Sequence, residues 1–452
     1  MSTSSVDGLI SGLSTTSMIQ QLMAAEAAPQ DKLKSSLTDE QTATKAYQAV
    51  NTKMSAIQTA AEALNTATGW QTMKSTSDNA SVSVSAGTSA AAGQISFNVT
   101  ALARAQVSTA VMPASGDVVG ASGLNIAIGD PGNPPDPTKV VTTNIALTDL
   151  KTNTAQGLAD AINAKGIGVR AAVVTNDAGD TLVQFTSTKT GLANQFTVDG
   201  LTGASAQVAV AAKDAKISIG DDGAGGAYSV TSSSNTFTNL MPGLTITASA
   251  VTTSPVTVTT TVDTSAISAK VKAMVDAAND ALSGITDLSS YDATNKVGGP
   301  LLSDSTTRFI QQNILSAVSN GKTGYGSFSQ LGITLDQSGK ITFDADKFAA
   351  AMASDPAKVQ DAIQNGLATT YDTQAKGATN SVDGSLTVAI QGRDARVKDL
   401  TAQIADWDTR LETKKEALQK QFADLEVALG KLKDQGSWLS GQIASLPSGS
   451  AG

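Results

Sequence analysis

Toward the end of the chain apolar positions recur every seven residues without a slip: Val397, Ile404, Leu411, Leu418, Leu425, Leu432 and Leu439. Leu400 and Trp407 fill the alternate seam position, which turns polar after Leu411 at Lys414, Gln421 and Gln435, while Phe422 and Leu429 sit one step further round. A strict seven-residue period predicts a helix that hides a narrow stripe against a partner helix. At about 1.5 Å per residue the stripe runs roughly 65 Å, longer than a compact domain is wide. The spacing therefore predicts an extended coiled coil, an assembly device. The stripe can be the core of an intramolecular hairpin or a surface for another subunit, and one helix can serve both.

A second seam lies near the start. Residues 14–68 read as helix, with Ser14 to Ser17 supplying capping hydroxyls ahead of Ile19, Leu22 and Met23. Pro29 should kink that helix or start a second one, because it lacks an N–H and crowds the preceding turn. Beyond Leu33 and Leu37, Tyr47, Val50, Met54, Ile57, Ala61 and Leu64 alternate gaps of three and four, and Gly69 offers a stop. With a seam near each end, the economical expectation is that the two seams pair with each other.

Between the ends the texture changes. Residues 75–262 are rich in Ser, Thr, Ala, Gly and Val, with short alternating runs at Val82/Val84, Ile95/Phe97/Val99, Leu182 to Phe185, Ile217/Ile219, Thr245–Thr247 and Val256/Val258. Such runs, separated by Gly, Asn-Asp and Pro clusters, predict short antiparallel strands in one or two β-rich domains. Thr154 to Asn163 has helical spacing ahead of a strand at Val169 to Val174, and Pro131 to Pro137 reads as a loop or boundary. Helices resume with a run from Thr264 or Ser265 to Ser283-Gly284, then one after Ser303/Asp304 carrying Phe309, Ile310, Ile314 and Val318 and stopping at Gly321. Ile333/Leu335 and Ile341/Phe343 around Gln337–Lys340 predict a β-hairpin, and Asp355-Pro356 opens a short helix with Val359 and Ile363.

Composition narrows the functions this architecture can serve. Lys and Arg number 31 against 40 Asp and Glu, a net charge of −9 in 452 residues, which argues against nucleic acid and anionic membranes as partners. The chain has no Cys and no His. That removes thiolate nucleophiles, Cys-based zinc sites, the commonest general base and the commonest metal ligand, and so weighs against an enzyme. Aromatics are 4%, so cores must be built from Ala, Val, Leu and Ile. No run approaches the length of a membrane span, and Met1 to Gly8 has neither the basic start nor the apolar stretch of a secretory signal.

No motif points to chemistry. Gly321-Lys322-Thr323 lacks the upstream glycine of a phosphate loop, since position 316 is Ser316, and reads as a loop at a helix end. Gly220 to Gly226 holds two carboxylates among glycines but not the spaced oxygen ligands of a calcium loop, and reads as a strand connection. Asp344 and Asp346 are placed to cap the helix carrying Phe348 and Met352 rather than to act as acid and base. Catalytic, cofactor-binding and metal sites are all expected to be absent.

The order of several short motifs resembles one family. Gly8 to Glu26 is similar to the opening of bacterial flagellar filament cap proteins, the flagellar hook-associated protein 2 family. Val275 to Asn279, Tyr291-Asp292, Gly299 to Arg308, Leu331 to Leu335, the hairpin, Asp355-Pro356 and the C-terminal helix from Leu411 to Leu439 follow in that family's order, although Ala278 stands where it often has an aromatic. Leu158 to Asn163 with Val169 to Val174 resembles a repeat in the heads of flagellar hook-associated proteins, and residues 131–137 look like a local insertion.

The resemblance implies a multidomain α+β chain with long N- and C-terminal helices pairing as a coiled coil, an α+β lower domain and inserted β-rich head domains. Its expected divisions are a helical leg of residues 1–42 and 393–452, a lower domain of 43–92 and 262–392, and a head of 93–261. It further implies a homo-oligomeric, pentamer-like ring at the filament tip that promotes folding and insertion of flagellin. Such a cap is extracellular, leaves through the flagellar type III export machinery without a cleaved signal and is served by a dedicated chaperone. The expected assembly residues are Tyr47, Val50, Met54, Ile57 and Leu64 with Val397, Leu400, Ile404, Trp407, Leu411, Leu418, Phe422, Leu425, Leu432 and Leu439. The competing readings are an adhesin or phage-tail-tip fibre whose Ser/Thr-rich heads bind a receptor, and a sister flagellar part, against which Gly299 to Arg308 and the hairpin argue.

Overall fold

The computed structural model describes residues 12, 14–132, 135–220, 225–238 and 240–444. The first residues of the opening motif, part of the proline-rich loop and the two carboxylates of the Gly220–Gly226 loop lie outside them. In chain order the α-helices of the described residues are α1 (Thr15–Glu62), α2 (Ala155–Lys165), α3 (Thr264–Ser289), α4 (Ser305–Ser319), α5 (Ala345–Ser354), α6 (Pro356–Ala362), α7 (Thr369–Thr379) and α8 (Ser385–Ala444). The chain forms two compact units, one from residues up to Trp70 and from Ile267 onward, the other from Gln71–Ala266.

The first unit has one apolar core. The C-terminal half of α1 supplies Tyr47, Val50, Met54, Ile57 and Ala61 to it, and Leu64 follows just past its end, against Ile267, Val271, Met274 and Ala278 of α3, Ile310 and Ile314 of α4, and Tyr371 and Ala375 of α7. This corrects the expected partnership. The Tyr47–Leu64 seam packs into a globular core rather than along the Val397–Leu439 stripe. Both settings need one buried helix face, so spacing alone does not separate them.

Several helix ends also differ from expectation. α1 passes through Pro29 without starting a second helix. Ser14 sits at the N-cap but its hydroxyl caps nothing. The helix stops at Glu62, short of Gly69, and a 3-10 turn Ala67–Trp70 folds back so that the Trp70 indole donates to the Leu64 carbonyl at 2.8 Å. A Cβ on Gly69 would lie 2.2 Å from the Ala63 carbonyl oxygen, so glycine is required there by close approach. Gly69→Ala is expected to cost about 1–3 kcal/mol. By contrast Gly377→Ala, in α7 with open space around it, should stabilise by up to about 1 kcal/mol. Urea titrations followed by tryptophan fluorescence test this pair, and equal signs would refute the close-approach argument.

α3 is capped by Asp263, which accepts from the Ala266 amide at 3.0 Å, and it runs past Gly284 to Ser289. Of the two expected caps Asp344 is one, accepting from the amides of Asp346 and Lys347, while Asp346 lies within the first turn of α5; Asp355 caps α6 by accepting from the Lys358 amide. Ile333–Leu335 pairs antiparallel with Ile341–Phe343 as predicted. Asn279 clasps that hairpin by donating to the Ile341 carbonyl at 2.7 Å and accepting its amide at 2.8 Å. Asn163 of α2 does the same for Ala171, which gives both motif asparagines a local structural role.

In the second unit a five-stranded antiparallel sheet runs in the order Met73–Ser77, Val256–Val262, Gly93–Ala101, Ala215–Ile219, Tyr228–Ser232. It shares a core with a smaller sheet of Thr236–Phe237, Leu244–Ala248 and Val82–Ala86. A separate core joins α2 to the sheet Gln207–Val210, Val107–Val111, Thr181–Ser187, Val169–Thr175 and to the sheet Val141–Ile145, Leu124–Ile128, Phe196–Asp199. The strands Met73–Ser77 and Val82–Ala86 pair inside this unit. The expected boundary between residues 92 and 93 therefore moves to that between Trp70 and Gln71.

Candidate assembly surface

The N-terminal half of α1 and the first half of α8 run antiparallel. Glu40 meets Arg393 at 2.7 Å and Arg396 at 3.4 Å, Gln30 meets Asp408 at 2.6 Å, and Glu26 meets Lys414 at 3.4 Å. Sequence numbers fall on one helix as they rise on the other. Gln30 is 3% exposed although it is polar. Its amide donates to Asp408 and to the Ile404 carbonyl at 3.3 Å while its oxygen accepts from Lys34 at 3.0 Å, so its hydrogen-bonding capacity is used.

These contacts place the predicted stripe. Val397, Leu400, Ile404, Trp407, Leu411, Leu418 and Phe422 are half-buried along α1. Leu425, Leu432 and Leu439 are exposed, and so are Val427, Trp438 and Ile443 beside them. The expected seam thus divides into a covered half and an apolar exposed end. Phe309, one of the apolar residues read onto α4, is 63% exposed, because Thr307, Ile310, Ile314 and Ala317 turn the core stripe away from it.

Where the paired helices enter the core, Tyr47 joins three elements. Its hydroxyl donates to the Asp304 carboxylate, which also accepts the Thr307 amide at 2.8 Å as the cap of α4. The Arg393 guanidinium lies 5.1 Å from the centre of the Tyr47 ring, a cation–π contact, while it holds Glu40. Burial, helped by the Asp304 hydrogen bond, raises the Tyr47 hydroxyl above its ordinary value. Burial alone would raise Asp304 too, but the Tyr47 hydroxyl and the Thr307 amide and hydroxyl hold it below the usual carboxylate range. Sequence spacing did not reveal Asp304, Gln30 or Glu40 as contacts. The available signal, for Glu40 alone of these three, was the placement of Arg393 at a seam position of α8.

Among the described residues no group of three or more acidic side chains is placed to hold a metal, and no helix is long and apolar enough to cross a membrane. What the arrangement offers is a surface: a helix pair fastened to a globular base, with the apolar end of α8 exposed.

Comparison with known proteins gives that surface a context. The family model of the flagellar hook-associated protein 2 C-terminus matches residues 212–434, and that of its N-terminus matches residues 11–106. Flagellar hook-associated protein 2 of Escherichia coli strain K12 is 28% identical over 468 residues, spanning 96% of this chain and 97% of that protein. The lateral flagellar hook-associated protein 2 of Vibrio parahaemolyticus is 30% identical over 306 residues, 63% of this chain and 66% of that protein. The crystal structure of the D1-D2-D3 domains of the Escherichia coli flagellar cap protein FliD superposes with a TM-score of 0.59 at 28% identity, covering 77% of this chain and 99% of that one. Matched at both ends by the family's own models, the chain belongs to the flagellar hook-associated protein 2 family.

Proposed function

We propose that this protein caps the flagellar filament, sitting at its extracellular tip as an oligomeric ring that promotes folding and insertion of exported flagellin. The exposed apolar end of α8, held out on a paired-helix leg, is the observation that carries this reading. Contiguous exposed apolar residues on a soluble chain mark a binding surface. Several modest contacts of this kind can be broken and remade one at a time as the cap advances, where one strong contact would stall it. The role is structural. A pentamer-like ring, passage through the flagellar export machinery and a dedicated chaperone belong to the same proposal and rest on family membership.

The residues assigned to contact flagellin or neighbouring copies are Leu425, Leu432 and Leu439 with their exposed neighbours. Tyr47, Val50, Met54, Ile57 and Leu64 are core residues instead, and act by holding the base of the leg. The test is a deletion strain viewed by electron microscopy. Flagellin monomers shed into the medium, with filaments short or missing and restored by the plasmid-borne gene, are the expected outcome. Intact filaments with lost surface attachment would overturn the reading in favour of an adhesin.

A further inference from the structure

The heptad stripe of α8 poses a problem of partner choice. A seven-residue apolar repeat pairs readily with another copy of itself. Cyclic assemblies make this acute, since identical helices that run along the common axis are set parallel by the rotation. Yet the first half of α8 lies against α1 of its own chain.

We infer that seam charges on α8, matched by acids on α1, select the intrachain partner for the first half of α8 and leave only its end free for other chains. Counting by sevens from Leu400 and Trp407, the alternate seam position is Arg393 before them and Lys414 after them. In a parallel pair of α8 helices each of these would face its own copy, like charge against like. On α1, Glu40 meets Arg393 and Glu26 meets Lys414, at 2.7 and 3.4 Å. Between them the buried Gln30 amide takes Asp408 and the Ile404 carbonyl. The exposed pair Glu26–Lys414 adds little stability of its own. Its effect lies in what it forbids. Beyond Gln421 the same seam position holds Ala428, Gln435 and Gln442, none of them charged. The charge pattern therefore covers the half of α8 that α1 lines and stops where Leu425, Leu432 and Leu439 become exposed.

This inference rests on the assembly reading only for its purpose, and its test needs no filament. The chain has no cysteine, so Ile404→Cys provides a single reporter on the stripe. In that background, purified full-length protein under mild oxidation should form little interchain disulfide. Adding Arg393→Leu and Lys414→Leu should raise the cross-linked dimer about tenfold at equal concentration. A second variant reverses every charge of these pairs, Glu26→Lys, Glu40→Arg, Arg393→Glu, Arg396→Glu and Lys414→Glu. It keeps both the match with α1 and the repulsion between α8 copies, and should behave as the parent. Circular dichroism confirms that helix content is retained in each. Parent-like cross-linking by the Leu variant would overturn the inference, and so would heavy cross-linking by the reversed one. The expected cross-linking pattern together with failure of the unaltered protein to cap filaments would instead count against the assembly reading alone.

Discussion

Leu432→Asp combined with Leu439→Asp is expected to leave the unfolding of the purified protein unchanged while abolishing filament capping. The two leucines are 62% and 54% exposed. Exposed substitutions away from caps and buried networks stay within about 0.5 kcal/mol. An interface that closes over the same residues must desolvate two carboxylates. Leaving a charge buried and unpaired costs about 3–5 kcal/mol, a loss of more than about a hundredfold in association. Ile404→Asp is the contrasting variant. It is half-buried against α1 and should lower stability by about 1–3 kcal/mol. Thermal unfolding of the purified variants, with motility and shed flagellin in the complemented deletion strain, separates the cases. A double variant that melts several degrees lower would mean that the end of α8 packs within its own chain. A double variant that caps normally would remove this surface from the assembly.

The contrast between those leucines and Ile404 marks how far the sequence could be read. Seven-residue spacing identified α8 as a helix with a stripe, because the period is set by helix geometry alone. Where the stripe is covered depends on a second helix far away in sequence, and nothing local encodes it. The alternating gaps from Tyr47 to Leu64 had the same ambiguity. They face α3, α4 and α7 in a globular core, and a helix buried among several others carries the spacing of a coiled coil. Phe309, named with Ile310 as an apolar residue of the same helix, parts from it for a simpler reason. It adjoins Ile310, but one residue is a rotation of about 100° on a helix, enough to carry the ring from the core to solvent.

Local chemistry was legible where it acts within a few residues. Asp344 and Asp355 cap the helices that follow them, and the hairpin closes around Gln337–Lys340. Strand pairing was not, since Met73–Ser77 and Val256–Val262 meet across the length of the second unit. That is why the boundary expected at residue 92 was drawn too late. The contacts along the leg fall in the same class. Glu40, Gln30 and Glu26 look like ordinary solvated helix residues until α8 is laid beside them.

Another contact between residues distant in sequence, Tyr47 with Asp304, carries the second large effect. Asp304→Ala is expected to lower the stability of the first unit by about 2–4 kcal/mol near neutral pH. It removes the cap of α4, worth about 1 kcal/mol, and leaves the Tyr47 hydroxyl without its acceptor, about 1–3 kcal/mol more. The effect should also depend on pH. Folding depresses the Asp304 carboxyl, so its contribution is present above the unfolded value near about 3.9 and is lost as pH falls through the lower folded value. Folding raises Tyr47, through burial first and Asp304 second, so that contribution is present below about 10 and is lost as pH rises through the folded value. The gap between parent and Asp304→Ala should therefore be flat from about pH 5 to 9 and close in acid. In alkali it should narrow only in part, because burial of Tyr47 persists in the variant. Trp70, Trp407 and Trp438 are the chain's 3 tryptophans and all fall in this unit, so fluorescence-detected urea titration follows it without interference from the other. A gap that stays constant down to pH 3 would show that Asp304 acts through shape rather than charge.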